Sequence, residues 1–162
     1  MSEVSVAVVT AADARELAGM MREMDDFYGD PCTYSVDEAA DAVRTHLVEC
    51  SGRGALLARM GSAPVGLLIH ASLWPTVDLK PALFVKDIFV HEQARGRGVG
   101  RALLRQLAIM ATREGYSRIE WTTERDNTDA RAAYARLGVP VLEEKMFYRL
   151  QGAALQALAD SG

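Results

Sequence analysis

The stretch Gln93-Ala94-Arg95-Gly96-Arg97-Gly98-Val99-Gly100-Arg101 carries the residue types best suited to holding a phosphate. Three glycines at alternate positions directly before a predicted helix let the backbone approach a ligand closely, and the first-turn N–H groups of that helix lack an intrahelical acceptor. Such a turn binds anions, phosphates above all. Arg95, Arg97, Arg101 and Arg105 surround it, and no acid interrupts the chain from Arg95 to Arg105. Spacing then narrows the ligand. A Walker loop needs Lys-Ser/Thr after its last glycine, where Arg101-Ala102 stands. A dinucleotide fingerprint needs a glycine three residues after Gly98, and that position is Arg101. The plain alternative is a glycine-rich turn without a ligand, and four clustered arginines make that turn costly.

The elements around the loop follow from periodicity. Val4 to Val9 reads as a strand that leads into a helix capped at Thr10, with Leu17, Met20, Met21, Met24 and Phe27 at helical spacing and Gly29-Asp30-Pro31 as the stop. Its methionines read as core filling. Ser35 and Glu38 form a capping box for a second helix. Ala55 to Met60 and Val65 to Leu73 are strand-like runs around Gly61-Ser62-Ala63-Pro64, which predicts an antiparallel hairpin. Ala82 to Val90 is apolar on both faces, as expected of a central buried strand. A helix from Gly98 to Glu114, closed by Gly115, then leads to a strand at Ile119 to Thr123, so the two strands should be parallel neighbours in a right-handed crossover. Asn127 caps a short helix to Leu137 with Gly138 after it, Val139 to Leu142 and Lys145 to Leu150 read as final strands, and the tail from Gln151 reads as a helix or frayed end. The whole is expected to be one mixed α/β domain spanning residues 1–162.

Composition sets the outer bounds. The chain has 162 residues, 49% hydrophobic and 25% charged, which is ordinary globular usage and excludes disorder or coiled-coil composition. Net charge is −4, against a surface that wraps nucleic acid, but the charge is unevenly placed. Asp13 to Glu49 holds ten acids and three arginines, whereas Lys80 to Arg118 holds eight bases and three acids. The local excess of bases agrees with the phosphate reading. No apolar run reaches the length of a membrane span, and no targeting segment precedes the first strand, so a cytoplasmic protein without a membrane or nucleic-acid partner is expected. Cys32 and Cys50 have no metal or redox spacing, His46, His70 and His91 have no ligand spacing, and no metal is expected.

The motif Arg95-x-x-Gly98-x-Gly100, placed after Ile88-Phe89-Val90, resembles the acetyl-coenzyme A motif of the Gcn5-related N-acetyltransferase (GNAT) superfamily. The order of elements agrees with that fold from Val4 to Leu150: a mixed central sheet with antiparallel N-terminal strands and a parallel, splayed pair at the acetyl-CoA site, flanked by helices. Thr10 to Asp13, Asp87 to Val90, and Asn127 to Tyr134 followed by Gly138 are most similar to the diamine (spermidine/spermine) and thialysine acetyltransferase branch. The resemblance implies acetyl-CoA as cofactor, a small-molecule primary amine as acceptor, direct attack in a ternary complex, and a homodimer. It places Gly96, Arg97, Gly98, Val99, Gly100 and Arg101, with Arg95, at the pyrophosphate. The backbone of Ile88, Phe89 and Val90 pairs with the pantetheine arm, and Asn127 and Ala130 touch the cofactor from the following helix.

Tyr134 falls on the family tyrosine that protonates the departing sulfur as general acid, and a phenol near pKa 10 suits that task. Asp87 and Glu120 are carboxylates on adjacent predicted strands, and either could collect the proton of an ammonium. Phe27, Tyr28 and Trp74 fall where the amine site begins and offer aromatic walls to a cation. Where the polyamine branch carries acids this chain has Lys86 and Lys145-Met146, which removes negative charge that would hold a polycation. Two other readings stand beside this one: acetylation of a protein amine, and a non-catalytic coenzyme A-binding module.

Overall fold

The computed structural model describes residues 3–161. Contacts divide the chain into two compact units, Met1–Thr123 and Glu124–Gly162. The first holds strands β1 (Val4–Val8), β2 (Arg53–Met60), β3 (Ala63–Leu73), β4 (Ala82–Val90) and β5 (Ile119–Trp121), and helices α1 (Ala14–Tyr28), α2 (Val36–Val43) and α3 (Val99–Glu114). The strands form one sheet in the order β1-β2-β3-β4-β5, antiparallel up to β4, with β5 parallel to β4.

Local chemistry starts and stops these elements as the sequence predicts. The Asp13 carboxylate accepts from the Thr10 N–H at 2.8 Å and the Thr10 hydroxyl at 2.7 Å, which holds that carboxyl below the usual range, with Arg59 adding to the effect. Ser35 and Glu38 close the predicted capping box on α2. Gly29 and Gly115 end α1 and α3 in the left-handed conformation.

Both faces of the sheet are covered. Alternate residues of β2 point to opposite sides, so Ala55 and Leu57 join Leu17, Met20 and Met24 of α1 and Val43 of α2, while Leu56 and Ala58 join Leu103 and Leu107 of α3. The α1 methionines are core filling, as read. At Gly66 of β3, α3 presses close on the sheet, since a Cβ there would meet Val99 Cγ1 at 2.8 Å, the Phe89 carbonyl at 3.1 Å and Leu103 Cδ1 at 3.3 Å. That contact seats the N-terminal end of α3 on the sheet.

The second unit holds α4 (Thr128–Arg136) and α5 (Gly152–Asp160). Asn127 caps α4 by accepting from the Ala130 N–H at 3.2 Å, and Gly138 takes φ +72° after it. The expected final strands at Val139 to Leu142 and Lys145 to Leu150 are corrected: both stretches are irregular, and neither joins a ladder among the described residues. A strand needs a partner for its backbone and a surface for one face. Met146, Phe147 and Tyr148 instead lie exposed, Tyr148 at 82%. β5 likewise stops at Trp121, short of the expected Thr123.

Two consequences can be measured. Gly66→Ala should destabilise the fold by about 1–3 kcal/mol, because α3 must move or distort to admit the methyl group, and urea unfolding reads that loss. The second concerns His70, 9% exposed on β3, whose Nδ1 has no hydrogen-bond partner among the described residues and whose pKa is pushed down by burial, with Glu114 opposing the shift. The folded state therefore holds a neutral ring while the unfolded chain takes up a proton below about pH 6.5, so stability falls as pH drops through that value. The urea midpoint of the wild type should show that fall, and His70→Leu should lack this share of it.

Candidate functional site

β4 and β5 part early. Their ladder covers only Leu83 with Ile119, Phe84 with Glu120 and Val85 with Trp121, so among the described residues β4 runs on from Lys86 to Val90 without a ladder partner on that side. On its other side β3 continues to pair, with a register shift in which Ile69 opposes Asp87 and His70 opposes Val85. Lys86 is the extra residue of a β-bulge. Beyond it, the His91 N–H donates to the Val65 carbonyl at 3.0 Å, so by the two-residue alternation Phe89 faces β3. Ile88 and Val90 turn their N–H and C=O groups to the open edge. This is a template for an extended ligand.

The glycine loop lies directly beyond that edge. Gly96 and Gly98 have φ of +74° and +80°, and a Cβ added at either would meet no atom within 4 Å. Both glycines answer a backbone need, and the space over them is open to a ligand. The first intrahelical bond of α3 joins the Ala102 N–H to the Gly98 carbonyl at 2.9 Å, which leaves the N–H groups of Val99, Gly100 and Arg101 aimed out of the helix end. Val99 is buried under the loop, whereas Arg97, Arg101 and Arg105 are exposed and pair with no carboxylate among the described residues. Backbone donors and free guanidinium groups together suit a pyrophosphate.

Arg95 behaves differently from the other arginines. Its Nε donates to the Val90 carbonyl at 3.1 Å, and its guanidinium carbon lies 4.3 Å from the centroid of the Phe27 ring. Phe27 in turn meets Tyr28 edge-on at 5.1 Å and Phe89 at 5.8 Å. The end of α1 is thereby joined to the end of β4.

The two carboxylates share a face of the sheet. Asp87 opposes Ile69, which packs on the α1 side, and Glu120 opposes Phe84, one residue out of phase with the α3-facing Val85. Lys86 Nζ lies 3.2 Å from Asp87, and Arg118 Nε lies 2.9 Å from Glu120. Trp74 lies at the opposite end of β4 from the glycine loop. It follows β3 beside the start of β4, where Leu73 opposes Ala82, and its indole N–H donates to the Leu79 carbonyl at 2.9 Å. Along β4 that end is about 26 Å from Val90. Asn127, Ala130 and Tyr134 lie on α4 of the second unit, Asn127 as its cap.

Reasoning from sequence missed the bulge and the bridging role of Arg95. The bulge shows only in the structure, where Val85 and Ile88 both contribute to the α3-facing core although three residues apart; a strand apolar on both faces has no two-residue period in its sequence to reveal the slip.

Residues 18–139 match the model of the acetyltransferase (GNAT) family. The chain belongs to that family. Membership places it among acetyl-CoA-dependent N-acetyltransferases and agrees with the mixed sheet and its parallel β4–β5 pair. Over its whole length this GNAT chain is 26% identical to the thialysine N-epsilon-acetyltransferase of Caenorhabditis elegans, with 99% of each protein covered. It is 33% identical over 93 residues to the L-ornithine N5-acetyltransferase of Arabidopsis thaliana, a match that covers 57% of this chain and 41% of the plant enzyme. Among solved structures, an integron cassette protein of V. cholerae shares 29% identity over 99% of both chains, with a TM-score of 0.87.

The loop assignment is open to direct test. Arg97→Glu should weaken coenzyme A binding by about tenfold or more, near 1.4 kcal/mol, and leave the urea midpoint unchanged, because the side chain is exposed and makes no ion pair. Unchanged affinity in calorimetry would remove the arginine from the phosphate site.

Proposed function

We propose that this GNAT enzyme transfers acetyl from acetyl-CoA to the primary amine of a small molecule, by direct attack of the amine in a ternary complex. The observation that carries the reading is the open edge of β4 running straight into the arginine-flanked glycine loop. The small-molecule class draws support from the full-length likeness to a thialysine acetyltransferase and the partial likeness to an ornithine acetyltransferase.

Acetyl-CoA supplies the reactive thioester. The protein's part is to hold and orient it: Gly96 to Arg101 receive the pyrophosphate, and the edge groups of Ile88 and Val90 pair with the pantetheine arm around Phe89. A backbone N–H on that edge polarises the acyl carbonyl. The acceptor approaches along Phe27 and Tyr28, each about half exposed on α1; Arg95 already lies over the Phe27 ring, so the Tyr28 face is the one left for a cation or its apolar stem. Asp87 or Glu120 takes the ammonium proton, directly or through water, so that a neutral amine attacks. The C–N bond forms, the C–S bond breaks, Tyr134 gives its phenolic proton to the departing sulfur, and the proton lost from the acylated nitrogen returns through solvent to the Tyr134 phenolate. The roles of Tyr134, Asn127 and Ala130 rest on the resemblance of the Asn127-to-Tyr134 segment to the family.

The matched region 18–139 spans both units, which supports their acting as one transferase domain over 1–162. A homodimer working in the cytoplasm completes the proposal. Among the described residues, no helix is long and apolar enough to cross a membrane.

The decisive variant is Tyr134→Phe. General acid catalysis contributes about a hundredfold or more, so kcat in a thiol-release assay over diamines, amino acids and aminoglycosides should fall by that factor while coenzyme A still binds. Near-normal turnover at every pH would sink the assignment. No thiol release by the wild type with any amine would favour a binding module.

A further inference from the structure

We infer that Arg95 is a positioning residue that registers the amine-facing end of α1 against the open edge of β4. One of its five N–H donors and the space over its central carbon are engaged in the free protein. Its Nε–H is spent on the Val90 carbonyl, the last acceptor on the open edge, at 3.1 Å. Its guanidinium carbon lies over the Phe27 ring at 4.3 Å, and Phe27 touches both Tyr28 and the buried Phe89 of β4. A guanidinium can donate from Nε while its central carbon sits over a ring, and a lysine ammonium has no such second donor position.

Two things follow from this placement. The bond to Val90 closes the far end of the edge, so an extended ligand pairing with β4 finds its register set by the groups that remain, those of Ile88 and the Val90 N–H. The stacked ring fixes the end of α1, which carries the aromatic wall for the acceptor, relative to that same register. Arg95 thus couples the two substrate positions through a pair of contacts already made in the free protein. Arg97, Arg101 and Arg105, without ion-pair partners among the described residues, are left for the phosphates.

This rests on the acetyl-transfer reading, and the test separates the two. Arg95→Gln is assayed with acetyl-CoA and with acetylpantetheine, a donor that has no pyrophosphate, and coenzyme A affinity is measured by calorimetry. A positioning role predicts that kcat falls about tenfold to a hundredfold with both donors, while the Kd for coenzyme A changes less than about threefold. Phe27→Leu should give a similar loss, the double variant should lose no more than the worse single one, and Phe27→Tyr, which keeps the ring face, should restore turnover. A Kd raised tenfold or more together with normal turnover of acetylpantetheine makes Arg95 a phosphate ligand and overturns the proposal. So do independent, multiplicative losses at Arg95 and Phe27. Should the wild type turn over no amine at all, acetyl transfer itself fails, and urea unfolding of the same variants decides the coupling: non-additive losses support it, additive ones overturn it.

Discussion

One extra residue in β4 sets the conditions for everything around it. Before Lys86, Leu83 and Val85 present their backbone groups to β5; after it, Asp87 and Phe89 face β3 while Ile88 and Val90 face the opening. The bulge resets the phase of the strand, so the side chains of Ile88 and Val90 still pack toward α3. An exposed strand edge is ordinarily a hazard, because unpaired N–H and C=O groups recruit other chains. Here the edge is short, β3 holds it from behind, and an arginine-rich turn caps its end. The result is a stretch of backbone kept straight and available by packing on both faces of the sheet.

Charge is distributed around that edge with some economy. Arg59 on β2 reaches both Asp13 and Glu16 at the start of α1, and these half-buried contacts use up two acids of the acidic N-terminal third. Asp25 accepts from the Tyr34 hydroxyl, whose pKa is driven upward by burial first and by this bond second, so a third acid is occupied in joining α1 to the segment before α2. The apparent negative lobe in the sequence is therefore partly internal wiring. The arginines at the N-terminal end of α3 are different, because Arg97, Arg101 and Arg105 have no acid to answer them among the described residues.

Most of the elements were legible because their signals are local. Thr10 with Asp13 and Ser35 with Glu38 announce helix starts, Gly29 and Gly115 announce helix ends, and the alternation across Ala55 to Leu73 announces a hairpin, each decided within a few residues. The loop was legible for the same reason, since glycine spacing and arginine density are written consecutively. What the sequence left hidden depends on pairing. Lys145 to Leu150 has the composition of a strand yet joins no ladder in its unit, and the early end of β5 is decided by how far it follows β4 rather than by its own residues. The Arg95–Phe27 contact joins positions 68 apart in the chain. No periodicity could have shown it.

The neighbours of the two carboxylates bear on which amine fits. Asp87 already has Lys86 within 3.2 Å, and Glu120 has Arg118 at 2.9 Å. An ammonium arriving at either must compete with a cation the protein supplies, and because Lys86 and Arg118 are exposed to solvent the repulsion at about 4 Å is on the order of 1 kcal/mol. A long polycation would meet that repulsion at more than one place, whereas an acceptor with one reactive amine and a carboxylate elsewhere could set its anionic end against Lys86 or Arg118.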